Sequence, residues 1–157
     1  MTNKYFDIKK VSLDIALQRT KERITMIESA LETARDSSND DTKSSAGDKY
    51  ETSREMIQQD INRYQKQLVE AKKDLQQLIS IESTIGDDTP DYIRLGSLIQ
   101  TSTGLYLIAI SIGALKVRDT NVFVISPASP IGQLLIGKKI GDSFIFNKLN
   151  SNIQAIY

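Results

Sequence analysis

The stretch that decides the fold is Leu13-Asp14-Ile15-Ala16-Leu17-Gln18-Arg19-Thr20-Lys21-Glu22-Arg23-Ile24-Thr25-Met26-Ile27-Glu28-Ser29-Ala30-Leu31-Glu32-Thr33-Ala34. Leu13, Leu17, Thr20, Ile24, Ile27, Leu31 and Ala34 are spaced alternately by four residues and by three, with polar residues between them. A stripe with a mean period of 3.5 residues is the seam of a coiled coil. The same spacing returns at Ile57, Ile61, Tyr64, Leu68, Ala71, Leu75 and Leu78. A helix of about three heptads is marginal alone and needs a partner for its stripe. The simplest partner for each run is the other, which predicts an antiparallel helical hairpin. Arms of roughly 28 residues at about 1.5 Å per residue would reach roughly 42 Å, so the hairpin is expected to project.

Between the runs lies Asp36-Ser37-Ser38-Asn39-Asp40-Asp41-Thr42-Lys43-Ser44-Ser45-Ala46-Gly47, built from residues that favour turns and caps. This is the expected hairpin tip. From Asp36 to Glu51 there are five acids (Asp36, Asp40, Asp41, Asp48, Glu51) against two lysines (Lys43, Lys49), a net charge of −3.

The whole chain is neutral: 157 residues carry 20 Lys and Arg and 20 Asp and Glu. That excludes a global attraction to nucleic acid or to an anionic membrane, though not a local patch. The chain has no Cys and no His. There is therefore no disulfide framework, thiolate nucleophile, zinc ribbon or imidazole base. Chemistry is left to carboxylates, Lys, Tyr, hydroxyls and the backbone, and any metal should be a hard, oxygen-loving ion such as Mg²⁺. No apolar leader precedes the first run, and Leu105 to Leu115, the longest apolar stretch, is too short to span a bilayer. A cytoplasmic location with no membrane partner is the expectation.

The composition changes near residue 85. Residues 1–85 hold 14 basic and 15 acidic side chains, whereas seven of the eight glycines and all three prolines come later. The expected domains are a hairpin over 1–85, with its acidic tip at about 36–51, and a small α+β domain over 86–157. Asp87-Asp88-Thr89-Pro90 reads as the linker. Strands are expected at Tyr92–Ile99, Gly104–Ile110, Asn121–Ile125, Ser143–Phe146 and Ile153–Ile156. One short helix should start at Pro130, with Ser129 as its N-cap and Gly137 as its stop.

Gly47-Asp48-Lys49-Tyr50-Glu51 is the sharpest candidate for chemistry. Asp48 and Glu51, three residues apart at the start of the second arm, fall on one face of a helix. Two carboxylates there can hold a divalent metal weakly, leaving most of its shell to water or to a partner. The same pair also reads as a capping box whose acids favour the helix dipole, and the two readings are compatible. Lys43, Lys49 and Arg54 can touch a phosphate backbone or form a solvated charge mix. Tyr50 can stack on a base or pack where the hairpin closes. Ile136-Gly137-Lys138-Lys139-Ile140-Gly141-Asp142 is not a phosphate loop, because it follows a helix instead of opening one. Lys116, Arg118, Lys138 and Lys139 are a weak docking patch.

Taken in order, these features resemble a family. The acidic-tipped hairpin, Gly47-Asp48-x-x-Glu51, Gly96, and Ser126-Pro127-x-Ser129-Pro130-Ile131-Gly132-x-x-Leu135-Ile136-Gly137-Lys138-x-x-Gly141-Asp142 are similar to the bacterial Gre transcript-cleavage factors, the GreA/GreB family. The resemblance covers nearly the whole chain and implies a coiled-coil hairpin followed by an FKBP-like α+β domain with an antiparallel sheet. That fold label implies no prolyl isomerase activity, and few aromatic residues in the second half offer a pocket for one. The resemblance further implies a monomer that is not itself an enzyme. It would dock on RNA polymerase with Ser129, Pro130, Lys138 and Lys139 as candidate contacts, and insert the hairpin in the secondary channel. Asp48 and Glu51 would help hold a Mg²⁺ shared with the polymerase, at the 3′ end of backtracked RNA. Lys43, Lys49, Tyr50 and Arg54 are the candidate nucleic-acid contacts. Lys49 stands where the family usually has an apolar residue, Thr52-Ser53 replaces its usual continuation, and the tip is longer. Those departures keep a second expectation open, a channel-binding regulator that inhibits or retunes the polymerase. A structural coiled-coil adaptor is the expectation from another class.

Overall fold

The computed structural model of the chain describes residues 3–41, 48–86 and 89–157, and the side chains of residues 40, 41 and 48–50 lie outside that description. Two long helices come first, α1 (Lys4–Asp41) and α2 (Asp48–Glu82). Both seams are the faces that leave water. Leu13, Leu17, Thr20, Ile27 and Leu31 of α1 are buried, as are Ile61, Ala71 and Leu78 of α2, and the remaining seam positions are half-buried. Across the hairpin Arg23 of α1 meets Asp74 of α2 at 3.3 Å. Helix α1 continues to Asp41, through residues expected to belong to the tip. Extending an existing helix gains one backbone hydrogen bond per residue fixed, so residues of low helix propensity are carried along at little cost.

Among the described residues no helix is long and apolar enough to cross a membrane. The chain divides into two compact units, residues 18–75 in one and residues 1–17 with 76–157 in the other. The first holds α1 from residue 18 and α2 up to residue 75. The second joins the base of both helices to a six-stranded sheet.

The strands are β1 (Leu98–Thr101), β2 (Gly104–Ile108), β3 (Gly113–Val117), β4 (Thr120–Ile125), β5 (Ser143–Phe146) and β6 (Leu149–Ile156), with α3 (Pro130–Leu135) between β4 and β5. Their order in the sheet is β3-β4-β2-β1-β6-β5. Four of the pairings are antiparallel. The exception is β2 with β4, which is parallel, with Leu105 opposite Val122 and Leu107 opposite Val124. The sheet is antiparallel as expected apart from this pair, where β3 forms a hairpin with β4 from outside and returns it alongside β2.

Two further expectations change. Tyr92–Ser97 forms no strand, because the Ser97 N–H donates back to the Arg94 carbonyl at 3.0 Å and Gly96 takes a φ of +90°. A Cβ on Gly96 would also lie 3.0 Å from Cγ2 of Ile81 in α2, so close approach and backbone angle both ask for glycine. Gly113–Val117 is a strand that the sequence reading left out. Its turn to β4 uses Arg118 and Asp119, both at positive φ, and the β5–β6 turn uses Asn147 and Lys148 in the same way. Paired positive φ values mark the tight hairpin turns whose twist matches the strands.

Helix α3 covers one sheet face. Its Ile131 and Leu135 join Ile93, Ile99, Ile108, Phe144, Ile153 and Ile156 in the core. On the other face Leu98, Leu107, Val122 and Val124 are fully buried too. The base of the hairpin is tied to the sheet at several points. Tyr5 stacks on Tyr157 with ring centroids 4.6 Å apart, Arg118 pairs with Asp7, and the Gln77 amide donates to the Ala109 carbonyl.

Candidate functional site

Asp48 is the first residue of α2, and Glu51 lies three residues on in the same helix. The two positions therefore share one helix face at the turn end of the hairpin. Glu51 and Arg54 are exposed. Lys43 lies outside the described residues, and so do the side chains of Asp48, Lys49 and Tyr50. The start of a helix carries unpaired N–H groups and the positive end of its dipole, which favour acids there.

Carboxylate oxygens are the right donors for Mg²⁺, but two of them fill a minority of its shell. Among the described residues no group of three or more metal-ligating side chains comes together.

The Ser-Pro block is a locked loop, helix and turn. The Ser129 Oγ accepts from the Gly132 N–H at 3.1 Å and donates to the Ser126 carbonyl at 2.6 Å. Pro130 opens α3 and Gly137 follows its end with a φ of +84°. The Ile93 N–H then donates to the Lys138 carbonyl at 2.8 Å, and the Asp142 carboxylate accepts from the Lys139 N–H at 2.8 Å. Ser129 and Pro130 sit at one end of α3, and Lys138 and Lys139 lie beyond the other. A helix of six residues is about 9 Å long, so the four docking candidates bracket it without forming one cluster. Lys116 pairs with Asp119 at 3.8 Å, and Arg118 is held by Asp7.

An aromatic groove was not foreseen from the sequence. Tyr106 and Phe123 stack at 5.5 Å, and with Phe144 and Phe146 they line a groove on the sheet. Four of the six aromatic residues of 86–157 meet here, and Tyr106 is opposite Phe123 in the parallel pair, a pairing that no local pattern encodes.

No protein-family profile matches the chain, and no curated protein matches it. Among solved structures, one described as "Structure of the transcription factor Gfh1" is similar over 90% of this chain and 93% of that one, with 20% identity and a TM-score of 0.33.

Proposed function

We propose that this chain is a secondary-channel factor of RNA polymerase that stimulates cleavage of backtracked RNA. The observation that carries the reading is the pair of acidic positions, Asp48 and Glu51, in the first turn of α2 at the turn end of a helical hairpin. The resemblance of the Ser126 to Asp142 block to the Gre factors supports it. In this reading the chain works in the cytoplasm as a monomer and is not an enzyme in its own right.

Asp48 and Glu51 would hold a Mg²⁺ together with carboxylates of the polymerase. Such an ion activates water and stabilises the leaving oxygen in phosphodiester hydrolysis. The chain's own contribution is to deliver two negative charges, on a rigid helix, to a site that lacks only those. Arg54 and Lys43, with Lys49 and Tyr50, would steady the RNA 3′ end through its phosphates and bases. Ser129, Pro130, Lys138 and Lys139 would make contacts to the polymerase.

The test is a stalled elongation complex with a labelled transcript. Added protein should shorten the RNA from its 3′ end, and Asp48→Ala and Glu51→Ala should abolish that. If both variants cleave as well as the wild type, the assigned role is wrong. The departures at Lys49 and Thr52-Ser53 favour a second reading, a regulator that does not promote cleavage. It is the correct one if the protein binds polymerase and slows elongation or initiation while transcripts keep their length.

A further inference from the structure

β5 is an edge of the sheet: β6 pairs with one side of it, and among the described residues no strand pairs with the other. Its four residues, Ser143-Phe144-Ile145-Phe146, include no charge and no proline. Edge strands are ordinarily blunted by such residues, and the opposite edge, β3, carries the exposed Lys116. Phe144 and Phe146 line the aromatic groove, whereas Ile145 points to the other side of the sheet and is 67% exposed.

The hydrogen-bond phase tells which backbone groups of β5 point outward. The Ile153 N–H donates to the Asp142 carbonyl at 2.8 Å, and bonding alternates along an antiparallel pair. Phe144 and Phe146 therefore bond to β6, and the N–H and C=O of Ser143 and Ile145 face away from it. The two-residue turn at Asn147 and Lys148 requires the same phase at its own end.

Those outward groups restrict what can pair there. In an antiparallel pair, opposite residues share a face and exchange both bonds or neither. For a second copy of β5, two registers satisfy this, centred on Ser143 or on Ile145. The first sets Phe144 against Asp142. The second sets Ile145 against Ile145 and Phe144 against Phe146, so like meets like on both faces. It also brings Asp142, just before the strand, toward Lys148, just after it, and both are exposed. A strand with opposite charges at its two ends is complementary to an antiparallel copy of itself.

We propose that β5 pairs antiparallel with β5 of a second copy of this chain, Ile145 against Ile145, in a weak two-fold dimer. Four residues a side cover less than the roughly 1,000 Å² of a stable interface, so the pair forms at high protein concentration and separates on dilution. It is a property of the free chain. It does not rest on the polymerase reading, in which the chain works singly and through the acidic pair of α2.

The experiment is sedimentation equilibrium on the full chain between about 10 µM and about 1 mM. The wild type should associate reversibly as the concentration rises. Ile145→Lys and the more conservative Ile145→Thr should each weaken association by about tenfold or more, with the Ile145→Thr unfolding midpoint nearly unchanged. Lys148→Glu should weaken it by about threefold, and less so in high salt. The chain has no cysteine, so Ile145→Cys supplies a single thiol. Opposite Cα atoms in a bonded antiparallel pair lie about 5.5 Å apart, within the reach of a disulfide. Ile145→Cys should therefore link two copies under mild oxidation much faster than Asn150→Cys, which lies opposite Ile145 on the inner strand. A wild type that stays single at about 1 mM would overturn the proposal. So would association that both Ile145 variants leave intact. Equal cross-linking at positions 145 and 150 would overturn the register.

Discussion

The carbonyl oxygen of Ser126 occupies the space that a side chain on Gly132 would need. A Cβ at Gly132 would fall deep inside van der Waals contact with that oxygen, and it would also meet the Ser129 Oγ at 2.9 Å and the Pro127 carbonyl oxygen at 3.0 Å. Two of these three atoms are backbone, and the third is the N-cap of α3. The loop therefore cannot retreat without breaking the cap. Gly132→Ala should destabilise the protein by about 1–3 kcal/mol, with a lower urea midpoint as the readout. An unchanged midpoint would show that the loop moves freely.

Ser12 poses the opposite problem. Its hydroxyl is fully buried in α1, and among the described residues its Oγ has no hydrogen-bond partner. Burying an unsatisfied hydroxyl costs about 1–3 kcal/mol. Alanine removes that hydroxyl and is the better helix former. Ser12→Ala should stabilise the protein by about 1 kcal/mol. Urea unfolding measures this, and a loss of stability would mean that the hydroxyl is satisfied in solution.

What could be read from the sequence depended on range. The seams from Leu13 to Ala34 and from Ile57 to Leu78 were legible because a helix writes its buried face into local spacing. The start, cap and stop of α3 were legible for the same reason: Ser129, Pro130 and Gly137 act on neighbours within a few residues. The parallel pairing of β2 with β4 was not, because it depends on residues that meet only after β3 has turned back. The small pocket lined by Lys9, Arg94 and Ser97 was hidden too, since it joins α1 to a turn about 85 residues later. Of the candidate site, the helical placement and spacing of Asp48 and Glu51 were legible, whereas a partner's ligands are not written in this chain.

Lys9 also predicts a pH dependence. Its folded pKa lies below the unfolded value of 10.5. Between the two, the unfolded chain binds more protons, so this group's contribution to stability rises with pH across that window. Tyr157 acts in the other direction. Its pKa is raised from 10.0, by partial burial and then by Tyr5, so its contribution falls above that pH. The Lys9 effect is isolated by comparison with Lys9→Met. At constant ionic strength, wild-type stability relative to Lys9→Met should increase as the pH approaches 10.5 from below. A difference that is flat with pH would mean that Lys9 is well solvated.

Glu51 separates chemistry from folding. It is exposed near the start of α2, where an acid favours the helix dipole modestly. Glu51→Gln keeps the size and removes the charge. A residue used only as a helix-start acid should lose a little stability on this change and leave the polymerase's behaviour unaltered. A residue that also positions a metal should show the same small loss of stability and, in addition, lower stimulated RNA cleavage by about a hundredfold or more. We expect the second outcome, with part of the loss restored by raising the Mg²⁺ concentration, because a weaker carboxylate set binds the ion less tightly. Cleavage that falls in Glu51→Gln and does not respond to added Mg²⁺ would assign Glu51 to contact with the polymerase or the RNA. Cleavage equal to wild type would leave it as a helix-start acid alone.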